Sequence, residues 1–369
     1  MDDDVLVANP GSSSLKLRVI GPGDEVLAHD DGPAPDDDLD EVLAAFIDGA
    51  PPVRAAGVRV VHGGPSFGAP VVVDDAVASA LVDLDELAPL HNPPGRALIT
   101  ALRRLLPDTP VVACFDTSFH HTLPEAAAIW AVPWAWSTEM GVRRYGFHGL
   151  SHQWASSRAA ALLDRPLGDL RLVVGHLGAG ASLAAIDGGR SVDTTMGFTP
   201  LDGLVMATRS GAVDPGALLW VQREAGLSPD EMEHALGHDS GLLALSGRSG
   251  DLREILRGVD AGDDRCALAF DVYLHRLRAA MAAMVASLGG VDAFVFTGGV
   301  GEHSPLVRAR AVEGLAFLGA VIDHDANSAA VGCDAAIGAA DADVAALVVV
   351  AREDLAMAGA VRAAVDGPG

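Results

Sequence analysis

The sequence predicts an α/β fold with two domains, and three observations lead to this prediction. The chain has 369 residues, which is more than a single hydrophobic core usually supports. Apolar segments with the period of strands alternate with amphipathic helical segments. A pattern of three short strands joined by small-residue turns occurs twice, from residue 5 and from residue 171. Such a repeat indicates two domains built on one unit, although chance similarity between glycine-rich hairpins would give the same pattern.

The two copies of the repeat have the same order of elements. Each reads strand, small-residue turn ending in Ser-Leu, strand, glycine turn, strand. The first copy consists of VLVAN (5–9), LKLRVI (15–20) and EVLAH (25–29), and the second of RLVVGHL (171–177), LAAID (183–187) and SVDTT (191–195).

Helices and buried strands account for much of the remaining chain. Apolar residues at helical spacing predict amphipathic helices, and short continuous apolar runs predict buried strands. The acidic stretch PAPDDDLDE (33–41) is predicted to be a surface loop that opens a helix. The predicted helices span residues 75–90, 94–106, 149–163, 266–288 and 352–364, and the predicted buried strands span 111–116, 292–299 and 346–351. Each domain is therefore expected to be a mixed sheet with helices.

Composition excludes several classes of partner and location. The net charge is −25, which excludes nucleic acid and anionic membranes as partners. Cys114, Cys266 and Cys333 are far apart and odd in number, so they predict no disulfide framework and favour a reducing compartment. The start MDDD does not resemble a signal peptide, and the apolar runs are shorter than the ~18 residues of a membrane span. We expect a soluble, cytoplasmic protein.

The acidic charge would oppose an anionic substrate only at long range. Physiological salt screens charges beyond roughly 8 Å. A nearby cation at ~4 Å contributes several kcal/mol at an effective dielectric constant near 20. A few arginines in otherwise neutral segments can therefore bind an anion.

The segment NPGSSSLK (9–16) contains Lys16, the only lysine in the sequence. It does not match a Walker A loop, because its small residues lie between two predicted strands and Lys16 falls within the second. Backbone N–H groups, serine hydroxyls and a lysine ammonium in such a hairpin can still bind phosphate. The alternative is an ordinary surface hairpin.

Four further segments place a polar residue where an anion could be bound. Arg59 in RVVHGG lies in an apolar strand and must find an anionic partner. Asp116 ends a buried strand, where α/β proteins collect polar groups. His148 in YGFHGLSH precedes a helix beside Phe147, and Arg209 lies in the turn-rich MATRSGAVDPG. Each of these alone also fits a packing residue.

Two glycine clusters follow predicted strands and suit close approach by phosphates. They are GHLGAG (175–180) and FTGGVGEHSP (296–305). Glu353 begins the last helix, where it could bind a metal or only interact with the helix dipole. No His or Cys set has zinc spacing, so Mg²⁺ held by few protein oxygens and by phosphates is the favoured metal.

Together these segments resemble the acetate kinases, within the acetate/propionate/butyrate kinase group of the actin and sugar-kinase superfamily. The resemblance covers nearly the whole chain. It is carried by NPGSSSLK, RVVHGG, LAPLHNPP, FDTSFHHTLP, YGFHGLSH, DTTMGFTPLDGL, TRSGAVDPG, GDLRE and FTGGVGEHS. It implies two duplicated domains of the actin/sugar-kinase type, each a mixed β-sheet flanked by helices, with the active site in the interdomain cleft.

The resemblance also implies Mg²⁺-dependent transfer of the γ-phosphoryl group of ATP to a short carboxylate, and the reverse, with Mn²⁺ as the alternative metal. By this resemblance Asn9 and Glu353 would help to hold the metal, and Ser12, Ser14 and Lys16 would contact phosphates. Arg59 would bind the substrate carboxylate, and Val61, Leu90, Phe147 and Pro200 would surround its methyl group.

The remaining roles implied by the resemblance concern the transferred group and the nucleotide. By the resemblance His148 and Arg209 would stabilise the transferring phosphoryl group, and Asp116 would be the family's catalytic acidic residue. The residues implied to line the nucleotide are His176, Leu177, Gly178, Ala179, Gly180, Asp251, Leu252, Arg253, Gly299, Val300, Gly301, Glu302 and His303. Because acetate is ionised at neutral pH and needs no general base, we expect Asp116 to orient Arg59, Arg209 or the metal.

Several residues depart from the family's usual pattern. Ala179 replaces the asparagine of H-L-G-N-G, His303 stands where asparagine is typical, and Ala212 replaces an acidic residue. Glu353 is kept, with changed neighbours. The first two departures lie on the nucleotide side, which leaves open a pyrophosphate or other phosphate donor, or a nucleotide-binding module without turnover. Acetate against propionate is also open, because one methylene is worth only ~1–3 kcal/mol.

The resemblance further implies domain boundaries and an assembly. Residues 1–117 with 356–369 would form the first domain and residues 118–355 the second, with the last helix packed on the first. A two-fold homodimer is implied, and the apolar segment AIWAVPWAWS (128–137) is a candidate contact surface or, alternatively, part of the core.

Overall fold

The computed structural model describes residues 3–11, 14–33, 38–88 and 91–367. Its strands form two sheets. The strands are Val5–Pro10 (β1), Ser14–Ile20 (β2), Val26–Pro33 (β3), Ala55–Val60 (β4), Val71–Val72 (β5), Val111–Phe115 (β6), Arg171–Leu177 (β7), Ala181–Asp187 (β8), Arg190–Thr194 (β9), Ala293–Thr297 (β10), Ala335–Ala336 (β11) and Ala345–Val348 (β12).

Helices connect and cover these strands. They are Leu39–Gly49 (α1), Asp75–Asp83 (α2), Asn92–Leu105 (α3), Glu125–Ala128 (α4), Trp134–Glu139 (α5), Gly149–Leu162 (α6), Pro215–Ala225 (α7), Pro229–His238 (α8), Gly241–Ser246 (α9), Leu252–Asp260 (α10), Asp264–Leu288 (α11), Gly298–His303 (α12), Pro305–Glu313 (α13), His324–Ala329 (α14) and Glu353–Asp366 (α15). Within the described ranges, no helix combines the length and the apolar character that crossing a bilayer requires.

The two sheets have the same topology, which confirms the predicted repeat. The first has the strand order β3-β2-β1-β4-β6-β5, and the second has β9-β8-β7-β10-β12-β11. In each, the first three strands form an antiparallel meander. The next two strands run parallel to the first strand, and the short edge strand is antiparallel. The predicted mixed sheets flanked by helices are therefore both present.

The first sheet is buried on both faces because its central strands are apolar throughout. Leu6 and Ala8 of β1 pack on the face covered by α1 and α3. Val5 and Val7, which alternate with them, pack on the face covered by α15. Gly57 of β4 allows α15 to approach closely, because a Cβ there would lie 2.5 Å from a methyl carbon of Val361. The last helix thus packs on the first sheet, as the resemblance implies.

The second sheet is covered by the long helix α11. This helix begins at an N-cap, Asp263, whose side chain accepts hydrogen bonds from the backbone of Arg265 and Cys266. It ends at Gly289, whose φ of 66° is the left-handed conformation that favours glycine. Between these caps its apolar face packs against β8 and β9. Sequence signals at both ends therefore account for a 25-residue helix.

The chain divides into two compact units. Unit 1 contains residues 3–121, 147–154 and 352–367 of the described chain, and unit 2 contains residues 122–146 and 155–351. The predicted boundaries assigned 118–121, 147–154 and 352–355 to the second domain instead. The difference arises because Leu150 and Leu355 belong to the hydrophobic core shared by β1, β6 and α15.

Some predicted elements end earlier or later than expected. The helix predicted over 75–90 ends at Asp83 and tightens into a 3₁₀ turn over Leu84–Leu87. The buried Asn92 side chain donates to the Leu84 carbonyl oxygen at 3.0 Å, which occupies an acceptor that a continuing helix would need. The third strand extends to Pro33, beyond the predicted residue 29. Its Asp31 carboxylate accepts hydrogen bonds from both terminal nitrogens of Arg18 on β2.

The strand predicted over 292–299 ends at Thr297. Gly298 has a φ of 76° and begins α12 directly. Helices α7 to α10 lie in a stretch for which no element is predicted. Side chains cap the starts of α7, α8 and α10, and on α8 Ser228 and Glu231 form a reciprocal capping box.

Candidate functional site

The carboxyl ends of β1, β4 and β6 bring three polar residues together in unit 1. These strands are parallel neighbours, so their ends lie at one edge of the sheet. Asn9, Arg59 and Asp116 follow the apolar residues of the α15 face at every second position, so they share that face. Glu353 is the first residue of α15. The site therefore follows from strand alternation and from the position of the last helix.

Arg59 and Asp116 form a buried, bidentate ion pair. The Nε and Nη2 atoms of Arg59 donate to the two carboxylate oxygens of Asp116 at 2.9 and 2.5 Å. Asp116 is 1% exposed. Burial alone would lower the pKa of Arg59, but the charges of Asp116 and Glu353 raise it above its ordinary value. Arg59 thus has the anionic partner that its apolar strand predicts, and its guanidinium stays charged.

Asn9 connects this pair to Glu353. Its Oδ1 accepts a hydrogen bond from Arg59 Nη1 at 3.2 Å, and its Nδ2 donates to Glu353 Oε2 at 3.0 Å. The order Asp116, Arg59, Asn9, Glu353 is therefore one continuous chain of polar contacts. Each member shares a hydrogen bond with its neighbour.

The hairpin that contains Lys16 has the predicted form. Asn9 of β1 lies opposite Lys16 of β2 in the antiparallel register, so Lys16 lies within the second strand. Its side chain is exposed. The backbone N–H of Gly11 donates to the carbonyl of Ser14 at 2.7 Å and closes the turn. Ser12 lies outside the described residues, as does Leu90 of the predicted methyl pocket.

His148 has a strained backbone. Its φ is 58°, in the left-handed region that residues with a side chain rarely adopt. Gly149, which begins α6, leaves no room for a side chain, since a Cβ would lie 2.2 Å from the Asp116 carbonyl oxygen. Strain of this kind is typical of functional positions, where the surroundings fix the backbone.

Two residues predicted for the methyl pocket are buried in unit 1. Val61 directly follows β4 and is 9% exposed, and Phe147 is 1% exposed. The ring of His62 meets the ring of Phe147 edge-on, with centroids 5.4 Å apart. Phe147 therefore packs against the residue that follows Val61 in the chain.

Unit 2 brings the two glycine clusters together. His176 near the end of β7 lies beside Thr297 of β10 in parallel register, and Gly178 approaches Gly299. Gly298 has no room for a Cβ, which would lie 2.9 Å from the Leu177 carbonyl oxygen. The clusters thus form one backbone-lined edge at the carboxyl ends of two central strands.

The three residues that depart from the family pattern each make a hydrogen bond within unit 2. The Ala179 carbonyl accepts from the Ala207 backbone N–H at 3.0 Å. The Ala212 backbone N–H donates to the Gly203 carbonyl at 3.0 Å. The His303 Nδ1 donates to the Gly299 carbonyl oxygen at 3.1 Å, four residues earlier. His303 is thereby held on the helix that carries the glycine cluster.

Arg209 and Pro200 also contact each other in unit 2. The Nη1 atom of Arg209 donates to the Pro200 carbonyl oxygen at 3.3 Å. Burial lowers the pKa of Arg209 below its ordinary value. A neutral carbonyl partner leaves the positive charge available to an anion.

Asp251 and Arg253 have a structural function at the start of α10. Asp251 caps α10 by accepting from the Arg253 backbone N–H at 2.9 Å. The Arg253 side chain also pairs with this carboxylate, and its hydrogen bond lowers the pKa of Asp251. Leu252, between them, is buried.

Three buried polar residues near these segments were not predicted as functional. Asn92 holds the loop after β4, because its Oδ1 accepts from the His62 backbone N–H and its Nδ2 donates to the His62 carbonyl. His120 contacts the Phe147 carbonyl. Arg308 donates to the carbonyls of α12, and burial lowers its pKa to about 10. Asn92 and His120 lie in motifs quoted above, but only the fold shows which backbone they hold.

The oxygens of Asn9 and Glu353 are suited to a hard divalent cation. Mg²⁺ is typically held by one or two protein carboxylates, with phosphates and water completing its shell. No group of three or more His, Cys, Asp or Glu side chains arranged for a metal occurs in the part of the chain that is described. One carboxylate with one amide fits a cation that is bound mainly through phosphate.

The family model, a sequence relative and two solved structures all indicate one family. Residues 38–359 match the model of the acetokinase family. An acetate kinase from Synechococcus is 49% identical over 316 residues, which are 85% of this chain and 77% of that protein. The crystal structure of Porphyromonas gingivalis acetate kinase superposes with a TM-score of 0.91 at 34% identity, covering 98% of this chain and 100% of the other. A propionate kinase from Francisella tularensis gives 0.89 at 33%, covering 98% and 99%.

Proposed function

The chain belongs to the acetokinase family of phosphotransferases whose acceptor is a carboxyl group, and from this premise we propose that it phosphorylates acetate with ATP. An acetate oxygen attacks the γ-phosphorus, and the bond from that phosphorus to the β–γ bridging oxygen breaks. ADP leaves with the electron pair, and acetyl phosphate is formed. No proton moves, because acetate is already ionised. The reverse reaction follows the same path.

The buried Arg59–Asp116 pair is the observation that carries the proposal. A guanidinium held by two hydrogen bonds from one side still has donors for a carboxylate. Because Asp116 already holds the guanidinium of Arg59 in place, this side chain needs little rearrangement to bind acetate. Asp116 supports this function as an orienting group and not as a base.

His148 and Arg209 are proposed to stabilise the transferring phosphoryl group. Phosphoryl transfer needs positioning and charge stabilisation more than covalent help from the protein. The left-handed backbone of His148 fixes the direction in which its side chain leaves the main chain. The charge of Arg209, which has a neutral carbonyl as partner, is available to the equatorial oxygens.

The nucleotide is proposed to bind along the glycine clusters of unit 2. Gly178 and Gly299 lie beside each other and leave backbone exposed to phosphates. Ser14 and Lys16 are proposed to contact phosphates through a hydroxyl and an ammonium group. Asp251, Leu252 and Arg253 are proposed to contact adenosine.

Asn9 and Glu353 are proposed to hold Mg²⁺, or Mn²⁺ in its place. Amide and carboxylate oxygens are hard ligands, and the two side chains already lie together, with Asn9 Nδ2 donating to Glu353 Oε2 at 3.0 Å. A divalent cation supplies charge neutralisation at the β- and γ-phosphates when bound. Glu353 also starts α15, so its carboxylate is fixed by the packing of that helix.

An acceptor of two or three carbons fits the apolar residues of unit 1. Val61 and Phe147 are both buried and offer no polar group from their side chains. A pocket of this kind separates acetate from propionate only weakly, because one methylene is worth about 1–3 kcal/mol. We therefore propose acetate as the main acceptor and propionate as a second one.

Two departures from the family's usual residues favour a second candidate function, in which pyrophosphate or another nucleotide donates the phosphoryl group. Ala179 offers no side-chain hydrogen bond to a phosphate, and His303 differs from the family's usual residue. Both lie on the nucleotide side in unit 2, so the carboxylate residues of unit 1 are unaffected.

One experiment tests both candidates. The purified chain with Mg²⁺ is assayed with ATP or pyrophosphate against acetate, propionate and butyrate, and the acyl phosphate is trapped as its hydroxamate. Product from ATP and acetate supports the proposal, and product only from pyrophosphate selects the second candidate. If no pair gives product while ATP still binds in calorimetry, the chain is a nucleotide-binding module.

We also propose that the protein is a cytoplasmic homodimer. Cys114, Cys266 and Cys333 are free thiols, and Cys333 is exposed, which suits a reducing compartment. The large side chains Trp134, Trp136 and Met140 expose 67%, 48% and 67% of their surface. Apolar side chains exposed together on one segment are typical of a protein interface.

A further inference from the structure

The strained backbone of His148 is held by hydrogen bonds to the peptide groups on both sides of it. The carbonyl oxygen of Phe147, before it, accepts from the Nε2 atom of His120 at 3.0 Å. The N–H of Gly149, after it, donates to the Asp116 carbonyl oxygen at 2.9 Å. Both peptide groups that flank His148 are therefore fixed by residues of the same segment, 116–120.

His120 is well placed to hold a peptide group. Its side chain is fully enclosed, with 1% of the residue exposed. Its ring meets the rings of Phe119 and His152 edge-on, each with centroids 5.6 Å apart. Because a carbonyl can only accept, the proton of this contact lies on Nε2. Packing therefore sets both the orientation of the ring and the direction of its N–H.

The other side of His148 cannot relax either. A Cβ at Gly149 would lie 2.2 Å from the Asp116 carbonyl oxygen and 2.9 Å from Cβ of Phe119. Gly149 is also the first residue of α6, so its backbone continues into a helix. The peptide before His148 is thus the part whose orientation depends on a side chain.

We propose that His120 is a positioning residue for His148. Its N–H holds the Phe147 carbonyl, which keeps His148 in the left-handed conformation and aims the imidazole. His120 acts through this peptide group and not on the substrates. The inference rests on the proposed phosphoryl transfer, in which His148 contacts the transferred group.

The test combines two variants of His120 with a variant of His148. His120→Leu removes the N–H, and His120→Gln places an amide N–H near the same position. Because displacing a catalytic group by about 1 Å can cost about 100-fold, we expect His120→Leu to lower kcat by about 10- to 100-fold. The KM values for acetate and ATP should change much less, and His120→Gln should recover most of kcat.

A double-mutant cycle separates positioning from general structural damage. In the His148→Ala background, His120→Leu should cause little further loss of kcat. An equal loss in both backgrounds would overturn the proposal. Crystal structures of the His120→Leu protein supply an independent readout, in which the peptide between Phe147 and His148 should rotate. An unchanged φ at His148 would also overturn it.

The outcomes distinguish this inference from the proposed function. If the unmodified protein transfers no phosphoryl group to any carboxylate, the proposed function fails while the crystallographic result still decides whether His120 holds the peptide. If the unmodified protein is active and the cycle shows independent effects, only the positioning inference fails.

Discussion

At the scale of a single residue, the fold gives the buried carboxylate of Asp116 one charged partner. Its carboxylate is 1% exposed and receives both the Nε and Nη2 atoms of Arg59. The sequence alone left three partners open for it: Arg59, Arg209 or a metal. The structure pairs it with Arg59, which supports an orienting function.

Replacing Asp116 by Asn should abolish activity at every pH. The change leaves the charge of Arg59 buried without its counter-charge, and breaking such a pair costs about 3–5 kcal/mol of stability. The pKa of Arg59 is raised, so the contribution of the Arg59 charge to stability is complete below the ordinary pKa of arginine. It is lost only as pH rises through the higher pKa of the folded state. A pH–rate profile combined with urea unfolding measures both effects.

The matched control for this prediction is Asp75→Asn. Asp75 pairs with Arg103 at 2.7 Å, but its side chain is 98% exposed. Because exposed ion pairs contribute little, the urea midpoint should hardly move. Return of activity at high pH in Asp116→Asn would contradict the orienting function and indicate a base.

The φ of 58° at His148 predicts that glycine at this position gives a more stable protein than alanine does. Glycine adopts this conformation freely, whereas a residue with a Cβ pays about 1–2 kcal/mol. His148→Gly should therefore unfold with a free energy about 1 kcal/mol larger than His148→Ala. Denaturant unfolding of the two variants measures the difference.

Ser157 supplies the control for this order. It is exposed on the same helix, α6, where alanine is favoured over glycine by about 1 kcal/mol. The order at Ser157 should be the reverse of that at His148. The same order at both sites would show that the backbone of His148 is not strained in solution.

At the scale of elements, the contact between α12 and β7 depends on glycine. Gly298 combines a φ of 76° with a Cβ position 2.9 Å from the Leu177 carbonyl oxygen. The sequence indicates the glycine cluster, but the strand predicted from it, 292–299, runs two residues beyond its actual end at Thr297. Periodicity does not show where a strand turns into a helix when the turning residue has no side chain.

Replacing Gly298 by Ala should push α12 away from β7. We expect the KM for ATP to rise by about 10-fold, because backbone displaced by about 1 Å no longer matches the phosphates. The KM for acetate should change little, since Arg59, Val61 and Phe147 belong to unit 1. Thermal unfolding provides the control: Gly299→Ala, where a Cβ meets nothing within 4 Å, should not lower the midpoint. A similar rise in both KM values would indicate general damage.

At the scale of the whole molecule, the net charge of −25 acts on every anionic substrate. Raising ionic strength from about 0.01 M to about 0.15 M shortens the Debye length from about 30 Å to about 8 Å. Long-range repulsion of ATP is then screened, whereas the short contacts of Arg59 and Arg209 are affected less.

We expect the KM for ATP to fall by about two- to fivefold over this range of salt. The KM for acetate, which carries a single charge, should fall less and serves as the internal control. Steady-state kinetics in potassium chloride at fixed Mg²⁺ measures both. A KM for ATP that rises with salt would show that local cations already dominate the field at long range.

The proposed homodimer predicts a specific disruption. Placing glutamate at both Trp136 and Met140 would bury two charges in the interface, so we expect monomers at micromolar concentration in sedimentation velocity. Phe317→Glu is the control, because Phe317 is 76% exposed but lies on a different segment. A monomeric unmodified protein, or an unchanged dimer in the double variant, would reject the proposed surface.

The sequence by itself determined the repeated α/β architecture and singled out Lys16, Arg59, Asp116 and the two glycine clusters as candidates. Both depend on local patterns, since strand alternation, cap residues and glycine turns can be recognised within about ten residues. Lys16 in its hairpin and Arg59 in its apolar strand were recognised in this way.

Only the tertiary structure decided which of these residues contact one another and which side chains hold them. Asn9 meets Glu353 across 344 positions of sequence, and His120 meets Phe147 across 27. Such contacts depend on the packing of the sheet and on the return of the last helix, which no local pattern specifies. The left-handed backbone of His148 belongs to the same class, because strain is imposed by the surroundings and is not encoded in a residue's own preferences.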